Sequence, residues 1–275
     1  MKLQYLGTAA SEGIPSPFCD CDLCRRARKK GHKDIRTRTQ AVVDDILLID
    51  FPADTLWHAI QYKVDLTRVR HCLVTHVHSD HLYPKEIGNL GRGFAHPAPG
   101  TPPFCFWGSE DTEKALAGEL AHTDGRAKFQ RLTPFQPAGI KGYTVTALKA
   151  AHGTPHPYIY LIARRGDALL WAHDTDLFPE ETWDYLAAQK LRLAFVSLDC
   201  TEGAGPIRYD GAHMDLARCI ACRDRLIAQG PADRGTRFCL SHFSHNGSRV
   251  AHGEFSKIAK KQGFLTAFDG MTAKF

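Results

Sequence analysis

The sequence has no long apolar run. A membrane-spanning helix is indicated by about 18 uninterrupted apolar residues, and no window of the sequence approaches that length. Residues 1–7 contain no apolar stretch followed by a cleavage site, so they predict a first strand and not a secretory signal peptide. We therefore expect no membrane partner and a cytoplasmic location.

The sequence also lacks internal repeats and any linker rich in proline and serine. Its 275 residues are within the length that one α/β domain reaches, so residues 1–275 are expected to form a single domain. The nine cysteines are an odd number without a secretory signal, which argues against a disulfide scaffold. We expect the cysteines to be reduced.

Charge is modest, at +5 overall, but part of it is concentrated in one basic segment. Between Arg25 and Arg38 there are eight lysines or arginines and one acid, Asp34. Such a segment is typical of a solvated surface. The alternative is a basic surface that attracts an anionic substrate towards a nearby cleft.

Apolar periodicity and turn signals predict many strands with helices between them. Strands are predicted at 2–6, 41–43, 46–50, 71–75, 104–107, 128–132, 143–149, 158–163, 168–172, 193–198, 237–240 and 264–268, and helices at 55–62, 215–229 and about 254–262. This order predicts the α/β class with an αββα sandwich, in which two β-sheets pack face to face and helices cover the outside.

Four potential metal ligands directly follow the apolar strand 71–75. They are His76, His78, Asp80 and His81. Alternation places His76 and His78 on one side of an extended chain, and a turn then brings Asp80 and His81 to a neighbouring point. Imidazole and carboxylate groups bind Zn²⁺, Mn²⁺ or Fe²⁺. A surface histidine cluster without metal is the alternative.

Three cysteines on one loop indicate a second metal site. Cys19, Cys21 and Cys24 follow the first strand with the spacing C-x-C-x₂-C. Three thiolates suit structural zinc, which needs four tetrahedral ligands, so the fourth must come from elsewhere. The alternative is three reduced cysteines without metal. Cys219 and Cys222 also have C-x₂-C spacing, but their helical pattern favours ordinary helix residues.

The His-x-His-x-Asp-His motif after a strand resembles the signature of the metallo-β-lactamase superfamily, and the resemblance continues in order along the chain. Asp50 resembles the aspartate that orders the site, and His152 the single histidine ligand of the third motif. Asp174 resembles the carboxylate that bridges both metals, and His242 the final histidine ligand. The superfamily's metallo-β-lactamase fold is therefore expected.

The resemblance implies a ligand set for two divalent metals, zinc or manganese. One metal would bind His76, His78 and His152, and the other Asp80, His81 and His242. Asp174 and a water or hydroxide would bridge them. Here His81 and Asp174 are the phosphodiesterase-like choices at positions where lactamases of the superfamily often differ.

These residues imply a metal-dependent phosphodiesterase that hydrolyses a small or cyclic phosphate diester through a metal-bridging hydroxide. Asp80 and Asp174 would hold the metals that polarise the phosphoryl oxygen and lower the pKa of the bridging water. The expected partner is a small anionic phosphate ester. A homodimer is kept as an alternative to a monomer.

The cysteine loop resembles that of the PhnP subfamily, whose members are cyclic-phosphate phosphodiesterases. In that subfamily a histidine three residues beyond the last catalytic histidine completes a zinc site. The resemblance implies that His245 joins Cys19, Cys21 and Cys24 as the fourth ligand of one structural zinc. This N-terminal zinc-binding loop, at about residues 18–25, would shape the pocket without contacting the substrate.

A histidine before the long helix is the candidate general acid. Gly211-Ala212-His213 resembles a Gly-His segment of PhnP-like enzymes, with one extra residue between the two. The resemblance implies that His213 protonates the leaving oxygen, which is otherwise a poor leaving group. A water-exposed histidine at the helix start is the alternative, and His156 and His173 are weaker candidates for the acid.

Other functions of the superfamily compete with this prediction. A tRNA-processing nuclease shares the motifs, including 172–175, but usually carries a long arm between the third and fourth motifs. Asp174 follows His152 by only 22 residues, which leaves no room for that arm, so RNA is disfavoured. Lactonase, thioesterase and non-hydrolytic metal-binding functions remain open. The loops 83–103 and 201–213 are expected to control the shape of the pocket.

Overall fold

A computed structural model describes residues 1–208 and 210–275 of the chain, and its central feature is a pair of β-sheets. The strands β1–β14 are Lys2–Gly7, Gln40–Val43, Leu47–Ile49, His71–Leu73, Phe104–Gly108, Ala127–Arg131, Ala138–Ile140, Tyr143–Lys149, Tyr158–Arg164, Asp167–Ala172, Arg192–Asp199, Arg237–Ser241, Phe264–Thr266 and Thr272–Lys274. The helices α1–α6 of this described part are Asp22–Lys30, Thr55–Tyr62, Glu110–Ala121, Glu180–Ala188, Leu216–Ala228 and His252–Lys261.

Each sheet has seven strands and combines antiparallel with parallel pairing. The first sheet has the order β14-β1-β2-β3-β4-β5-β6, and the second β13-β12-β11-β10-β9-β8-β7. Strands β3 to β6 are parallel, as are β10 to β13. Strand β8 is also parallel to β10, because both pair antiparallel with β9. Several strands of each sheet therefore end at one common edge.

The strands are apolar on both faces, which explains the layered packing. In β2, Val43 faces the interior between the sheets, whereas its neighbour Val42 faces outwards. The interior also contains the large side chains of Trp171, Tyr160 and Phe195. Because alternate residues of a strand point to opposite faces, each sheet needs cover on both sides. The predicted αββα sandwich is confirmed.

Helices cover the outer faces of the sheets. Leu116 of α3 packs on the outside of the first sheet. Helices α1, α4, α5 and α6 cover the second sheet, for example through Trp183 of α4 and Phe255 of α6. Cys219 and Cys222 are buried in α5 against the same sheet, as expected for ordinary helix residues.

The structure contains the predicted strands and helices and adds further helices and strands to them. The long helix predicted at 215–229 is found at Leu216–Ala228. The basic stretch after the cysteine loop is helical, as α1. The sequence did not predict α3, α4, β7 or β14. No helix in the described part of the chain is long and apolar enough to cross a membrane.

Candidate metal centre

The strand ends bring the predicted metal ligands to one edge of the sandwich. His76 and its neighbours follow β4, and His152 follows β8. Asp174 follows β10, and His242 follows β12. The backbone turns into the left-handed region at Asp174, with φ of 49°, and at His242, with φ of 59°. These turns direct each side chain away from its strand.

Three of these histidines form the first cluster. Nε2 of His152 lies 3.2 Å from Nδ1 of His78. The ring centroid of His76 lies 4.7 Å from that of His78 and 4.8 Å from that of His152. One nitrogen of each ring lies within 4.8 Å of the others, so all three can reach one cation.

A second cluster lies beside the first and contains Asp80, His81 and His242. Oδ2 of Asp80 lies 3.4 Å from Nε2 of His81 and 3.6 Å from Nε2 of His242. All three side chains are buried. Their ligand atoms also lie within 4.8 Å of one another. This set can hold a second cation.

The carboxylate of Asp174 connects the two clusters. Its Oδ2 lies 2.6 Å from Nε2 of His81 and 2.9 Å from Nε2 of His242. Its Oδ1 lies 3.6 Å from Nε2 of His152, which belongs to the first cluster. One carboxylate therefore faces both candidate sites with different oxygens.

The polar atoms at the middle of the site fit bound cations. Nε2 of His76, His81 and His242 and Oδ2 of Asp174 are buried and make no hydrogen bond to the described residues. They approach one another closely, but without hydrogen-bond geometry. Buried polar atoms without partners are costly, and one divalent cation in each cluster would satisfy all of them.

Buried carboxylates control the charge of the histidines. Burial lowers the pKa of His76 well below its usual value, which leaves the neutral imidazole that binds metals. Burial also opposes protonation of His81 and His242, but the surrounding carboxylates, of which Asp174 has the largest effect, together outweigh it and raise the pKa of both rings. Without a cation, a proton would compensate for the carboxylate charge.

Asp50 holds the first part of the motif in place. Its Oδ2 lies 2.7 Å from Nδ1 of His81, and its Oδ1 accepts hydrogen bonds from the amide of Thr75 at 2.8 Å and from its hydroxyl at 2.9 Å. This contact directs Nε2 of His81 towards Asp174. An outer carboxylate of this kind fixes the orientation of a metal-binding imidazole.

Asp199 and Thr201 hold Asp174, His213 and His242 in place, and neither residue was predicted from the sequence to belong to the site. Oδ2 of Asp199 accepts a hydrogen bond from the amide of Asp174 at 3.0 Å and lies 3.0 Å from Nδ1 of His213. Oγ1 of Thr201 lies 2.8 Å from Nδ1 of His242. The sequence feature that could have identified them is a pair of polar residues at the carboxyl end of a buried strand.

His213, the candidate general acid, lies at the rim of the centre. Its ring centroid is 5.0 Å from that of His152 and 5.7 Å from that of His242. Burial opposes its protonation, but the charge and hydrogen bond of Asp199 and the charge of Asp174 together outweigh burial and raise the pKa of His213. The alternative of a water-exposed histidine does not describe this side chain, which is only 14% exposed.

The two weaker candidates for the acid lie elsewhere. His156 is exposed, and its Nδ1 lies 2.6 Å from Oδ2 of Asp111. His173 is fully buried, with Nε2 2.8 Å from the hydroxyl of Ser197 and Nδ1 3.2 Å from that of Thr39. Neither histidine lines the cleft at the His/Asp clusters.

A cleft of about 340 Å³ opens onto these clusters. Its described lining is Ala10, Ser11, Glu12, His78, Asp80, His152, Gly153, Asp174, Thr201, Ala212, His213, His242, Ser244 and Asn246. No lysine or arginine occurs in this described lining. An anionic ligand in the described part of the cleft would therefore find no lysine or arginine to pair with.

The loops that shape the cleft are partly different from those predicted. The loop 201–213 contributes to the wall as expected, although its Tyr209 lies outside the described residues. The prediction for 83–103 is wrong, because this loop lines a separate cavity on the side of the first sheet, for example through His96 and Pro97. The residues 10–12 form part of the wall of the cleft instead.

Six of the eight lysines and arginines of the basic segment 25–38 are exposed, as expected of a solvated surface, whereas Arg36 and Arg38 make contacts within the fold. Arg36 is buried, and its guanidinium donates to the hydroxyl of Thr8 and the carbonyl of Ala267, each at 2.7 Å. Arg38 pairs with Asp54 at 3.2 Å. No residue of the segment lines the described part of the cleft. Arg36 and Arg38 therefore support the fold, and the rest of the segment is a solvated surface outside the described lining of the cleft.

The predicted zinc ligands are brought together beside the cleft. One ligand atom each of Cys19, Cys21, Cys24 and His245 lies within 4.8 Å of the others. Nδ1 of His245 is 3.5 Å from Sγ of Cys19 and 3.8 Å from Sγ of Cys21. Burial raises the pKa of the Cys21 thiol, but hydrogen bonds from Cys24 and His245 outweigh it and lower that pKa to about 6. Three sulfurs and one imidazole fit tetrahedral zinc.

The family follows from a match that covers most of the chain. Residues 46–243 match the model of the beta-lactamase superfamily domain. The chain belongs to the metallo-β-lactamase superfamily. No curated protein sequence is significantly similar to it.

Solved structures of the metallo-β-lactamase fold align with nearly the whole chain. A diphosphatase from the PhnP family is 22% identical, with a TM-score of 0.77 over 100% of this chain and 97% of that one. Zinc-bound PqqB from Methylobacterium extorquens is 16% identical, with a TM-score of 0.79 and full coverage of both chains. Human tRNase Z, short form, is 15% identical, with a TM-score of 0.66 over 100% and 99%. These identities show a shared fold.

The metallo-β-lactamase fold binds divalent metals, and the His/Asp clusters of this chain are candidate sites for them. The members of the superfamily include metal-dependent hydrolases. The donors of the His/Asp clusters are all imidazole nitrogens and carboxylate oxygens, and Asp174 connects them.

Proposed function

We propose that this protein is a metal-dependent phosphodiesterase that hydrolyses a small or cyclic phosphate diester. The observation that carries the proposal is the carboxylate of Asp174, whose Oδ2 faces His81 and His242 while Oδ1 faces His152. A nitrogen and oxygen donor set of this shape suits two cations close together, which is an arrangement common in phosphoester hydrolysis.

The chain's own residues would prepare the centre for this chemistry. His76, His78 and His152 would hold one cation, Asp80, His81 and His242 would hold the other, and Asp174 would contact both. When bound, two divalent cations polarise the phosphoryl oxygen and lower the pKa of the attacking water. Asp50 and Thr201 keep His81 and His242 oriented through their Nδ1 atoms.

His213 would supply the proton that the leaving oxygen requires. Asp199 holds Nδ1 of His213 at 3.0 Å and favours the charged imidazolium. Nε2 would then donate to the leaving alkoxide as its bond to phosphorus breaks. The ring lies beside His152 and His242, close to where the phosphorus must sit.

The size and charge of the cleft favour a small substrate over RNA. A nucleic-acid strand is normally held by lysines and arginines that contact its phosphates. The described lining of the cleft contains none of these residues, and its volume is about 340 Å³. Strands β9 and β10 are joined by residues 165–166 alone, which leaves no arm between His152 and Asp174 for grasping RNA.

We further propose one structural zinc at Cys19, Cys21, Cys24 and His245, and zinc or manganese at the His/Asp clusters. Thiolates favour zinc at the cysteine site. The nitrogen and oxygen donors of the catalytic clusters accept either cation, and the identity is decided by metal analysis of the purified protein.

Turnover of bis-(p-nitrophenyl) phosphate and of a 2′,3′-cyclic nucleotide tests the function. The protein is treated with chelator and reloaded with Mn²⁺ or Zn²⁺ before the assay. Reloading should restore hydrolysis, and Asp80→Ala and Asp174→Ala should abolish it. Asp224→Ala, on the exposed side of α5, is the matched control and should keep full activity. A fully loaded protein without phosphodiester turnover would refute the proposal, and lactones, thioesters and tRNA precursors would then be assayed.

A further inference from the structure

We infer that Glu12 is a positioning residue that orients His245 at the zinc cluster and thereby couples this cluster to the catalytic cleft. The inference rests on zinc binding by the three cysteines and His245. It assigns a role to Glu12, which belongs neither to the cysteine cluster nor to the His/Asp clusters. Glu12 lies in the loop after β1 and lines the cleft.

The two ring nitrogens of His245 face different partners. Nδ1 faces the cysteine sulfurs, at 3.5 Å from Cys19 and 3.8 Å from Cys21. Nε2 faces the other way and lies 3.7 Å from Oε1 of Glu12. A histidine that binds metal through one nitrogen carries its proton on the other, and a carboxylate beside that proton fixes the ring and increases its basicity. Glu12 lies on this side of the ring, at ion-pair distance from Nε2.

The carboxylate of Glu12 is itself fixed to the chain that carries His245. The hydroxyl of Ser244 donates a hydrogen bond to Oε1, and Nδ2 of Asn246 lies 3.4 Å from the same oxygen. Glu12, Ser244 and Asn246 all line the cleft. One carboxylate therefore contacts both neighbours of His245 and borders the space for the substrate.

Backbone pairing joins the same two segments. The amide of Phe243 donates to the carbonyl of Thr8 at 2.9 Å, and the amide of Ala10 donates to the carbonyl of Phe243 at 3.0 Å. Phe243 directly follows His242, one of the candidate catalytic ligands. Displacement of His245 would therefore be transmitted to Glu12, to the wall of the cleft and to His242.

The charge of Glu12 gives this coupling a consequence for substrate binding. Asp80 and Asp174 belong to the His/Asp clusters, and Glu12 is the remaining carboxylate in the described lining of the cleft. Its side chain is 24% exposed. If displacement of His245 also moves Ser244 and Asn246, which hold Glu12, this negative charge can approach a bound phosphate ester and weaken its binding. Loss of zinc should therefore raise KM more than it lowers kcat.

Zinc affinity of Glu12→Ala and Glu12→Gln tests the inference without relying on activity. Zinc at the cysteine cluster is followed by competition with a chromophoric chelator, and Co²⁺ substitution reports on the thiolate site through its sulfur-to-cobalt absorption. Removal of an outer partner typically weakens metal binding by about 10–100-fold, so we expect that loss in Glu12→Ala. Glu12→Gln keeps an acceptor oxygen without charge and should lose less.

Glu254→Gln is the matched control, because Glu254 is an exposed residue of α6 whose partner is Arg26. It should keep the zinc affinity and the cobalt spectrum of the unmodified protein. Unchanged zinc affinity and spectrum in both Glu12 variants would overturn the inference. Cys21→Ser tests the zinc site itself, since retention of all zinc in that variant would remove the basis of the inference while leaving the phosphodiesterase proposal intact.

Discussion

At the scale of single residues, three site positions adopt a backbone conformation that is unusual for their side chains. Asp50, Asp174 and His242 have φ values of 65°, 49° and 59°. Such conformations cost about 1–3 kcal/mol each where the residue is not glycine, and they persist where the surrounding contacts require them. Each follows a strand and directs its side chain into the gap between strand ends. The site therefore depends on strained backbone as well as on ligand identity.

The proposed proton transfer predicts a leaving-group effect in His213→Gln. Asp199 holds the ring at 3.0 Å, so the substitution removes the acid while the candidate metal ligands remain. General acid catalysis contributes about 10²–10⁴-fold to the rate. We expect kcat to fall within this range for a diester with an alkyl leaving group. With p-nitrophenolate, which leaves without protonation, kcat should fall much less.

His156→Gln is the matched control, because His156 is exposed and pairs with Asp111 away from the cleft. It should leave kcat unchanged for both substrates. Equal losses for the alkyl and the p-nitrophenyl diester in His213→Gln would contradict the role as acid. They would indicate instead that His213 supports the arrangement of the centre.

Residue types and order indicated most of the candidate centre, but not its supporting contacts. His76, His78 and Asp80 lie in one dense motif, so their metal-binding chemistry can be predicted from the sequence alone. Asp199 and Thr201 are ordinary polar residues in sequence, and only the parallel pairing of β10, β11 and β12 places them against Asp174 and His242. Contacts made by pairing of distant strands leave no local pattern to detect.

At the scale of elements, the start of helix α6 contains a histidine in a cationic environment. Nδ1 of His252 lies 3.0 Å from the guanidinium of Arg36, which can only donate, so this nitrogen must accept. Nε2 lies 3.2 Å from the hydroxyl of Ser256. Burial, followed by the charges of Arg36 and Lys33, lowers the pKa of His252 to about 4, and only Asp34 opposes them appreciably.

This lowered pKa predicts a loss of stability in acid. The unfolded chain binds a proton at His252 near the ordinary pKa of 6.5, whereas the folded chain resists it until about 4. The contribution of neutral His252 to the free energy of unfolding is therefore fully present above pH 6.5 and is lost as the pH falls towards about 4. Because the ring is partly exposed, we expect on the order of 2 kcal/mol. Urea unfolding at pH 7 and pH 5 measures it.

The variant His252→Gln isolates this contribution, since an amide oxygen can accept from Arg36 without titrating. Its free energy of unfolding should fall less than that of the unmodified protein between pH 7 and pH 5. The metal-binding histidines titrate in both proteins and cancel in the difference. His122→Gln, at an exposed position, is the control and should follow the unmodified protein. An identical pH dependence in His252→Gln would contradict the prediction.

Long periodic elements were predictable, whereas some helices with weaker periodicity were missed. Helix α3 has a helix-start signal in Ser109, which accepts a hydrogen bond from the amide of Thr112 and precedes an acidic first turn. Its apolar stripe is narrow, because only Thr112 and Leu116 are buried. Strands β7 and β14 have three residues each, too few for any period to be seen.

At the scale of the whole molecule, the candidate centre lies where the two sheets meet. The first sheet supplies His76, His78, Asp80 and His81 from the segment after β4, and the second supplies His152, Asp174 and His242. The layered fold was predictable because the central strands of both sheets are apolar on both faces. The loops that form the wall of the cleft were only partly predictable. The position of a long loop such as 83–103 depends on which outer face of the sandwich it packs against.

A centre shared between the sheets predicts that its metals stabilise the entire fold. Cations that bind only the folded state add about 4 kcal/mol at a thousandfold excess over Kd, and each kcal/mol raises Tm by about 2–4 °C in chains of this size. Addition of Mn²⁺ to chelated protein should therefore raise Tm by on the order of 10 °C. Mn²⁺ prefers nitrogen and oxygen donors, so it reports on the His/Asp clusters and not on the cysteines.

Asp174→Ala should remove most of this increase, because Asp174 faces ligands from both sheets. Cys21→Ser should keep the increase, since its thiol belongs to the other cluster. Differential scanning calorimetry of the three proteins with and without Mn²⁺ measures both effects. A full increase in Asp174→Ala would mean that Mn²⁺ stabilises the protein elsewhere, and the joining of the two sheets by metal would then be wrong.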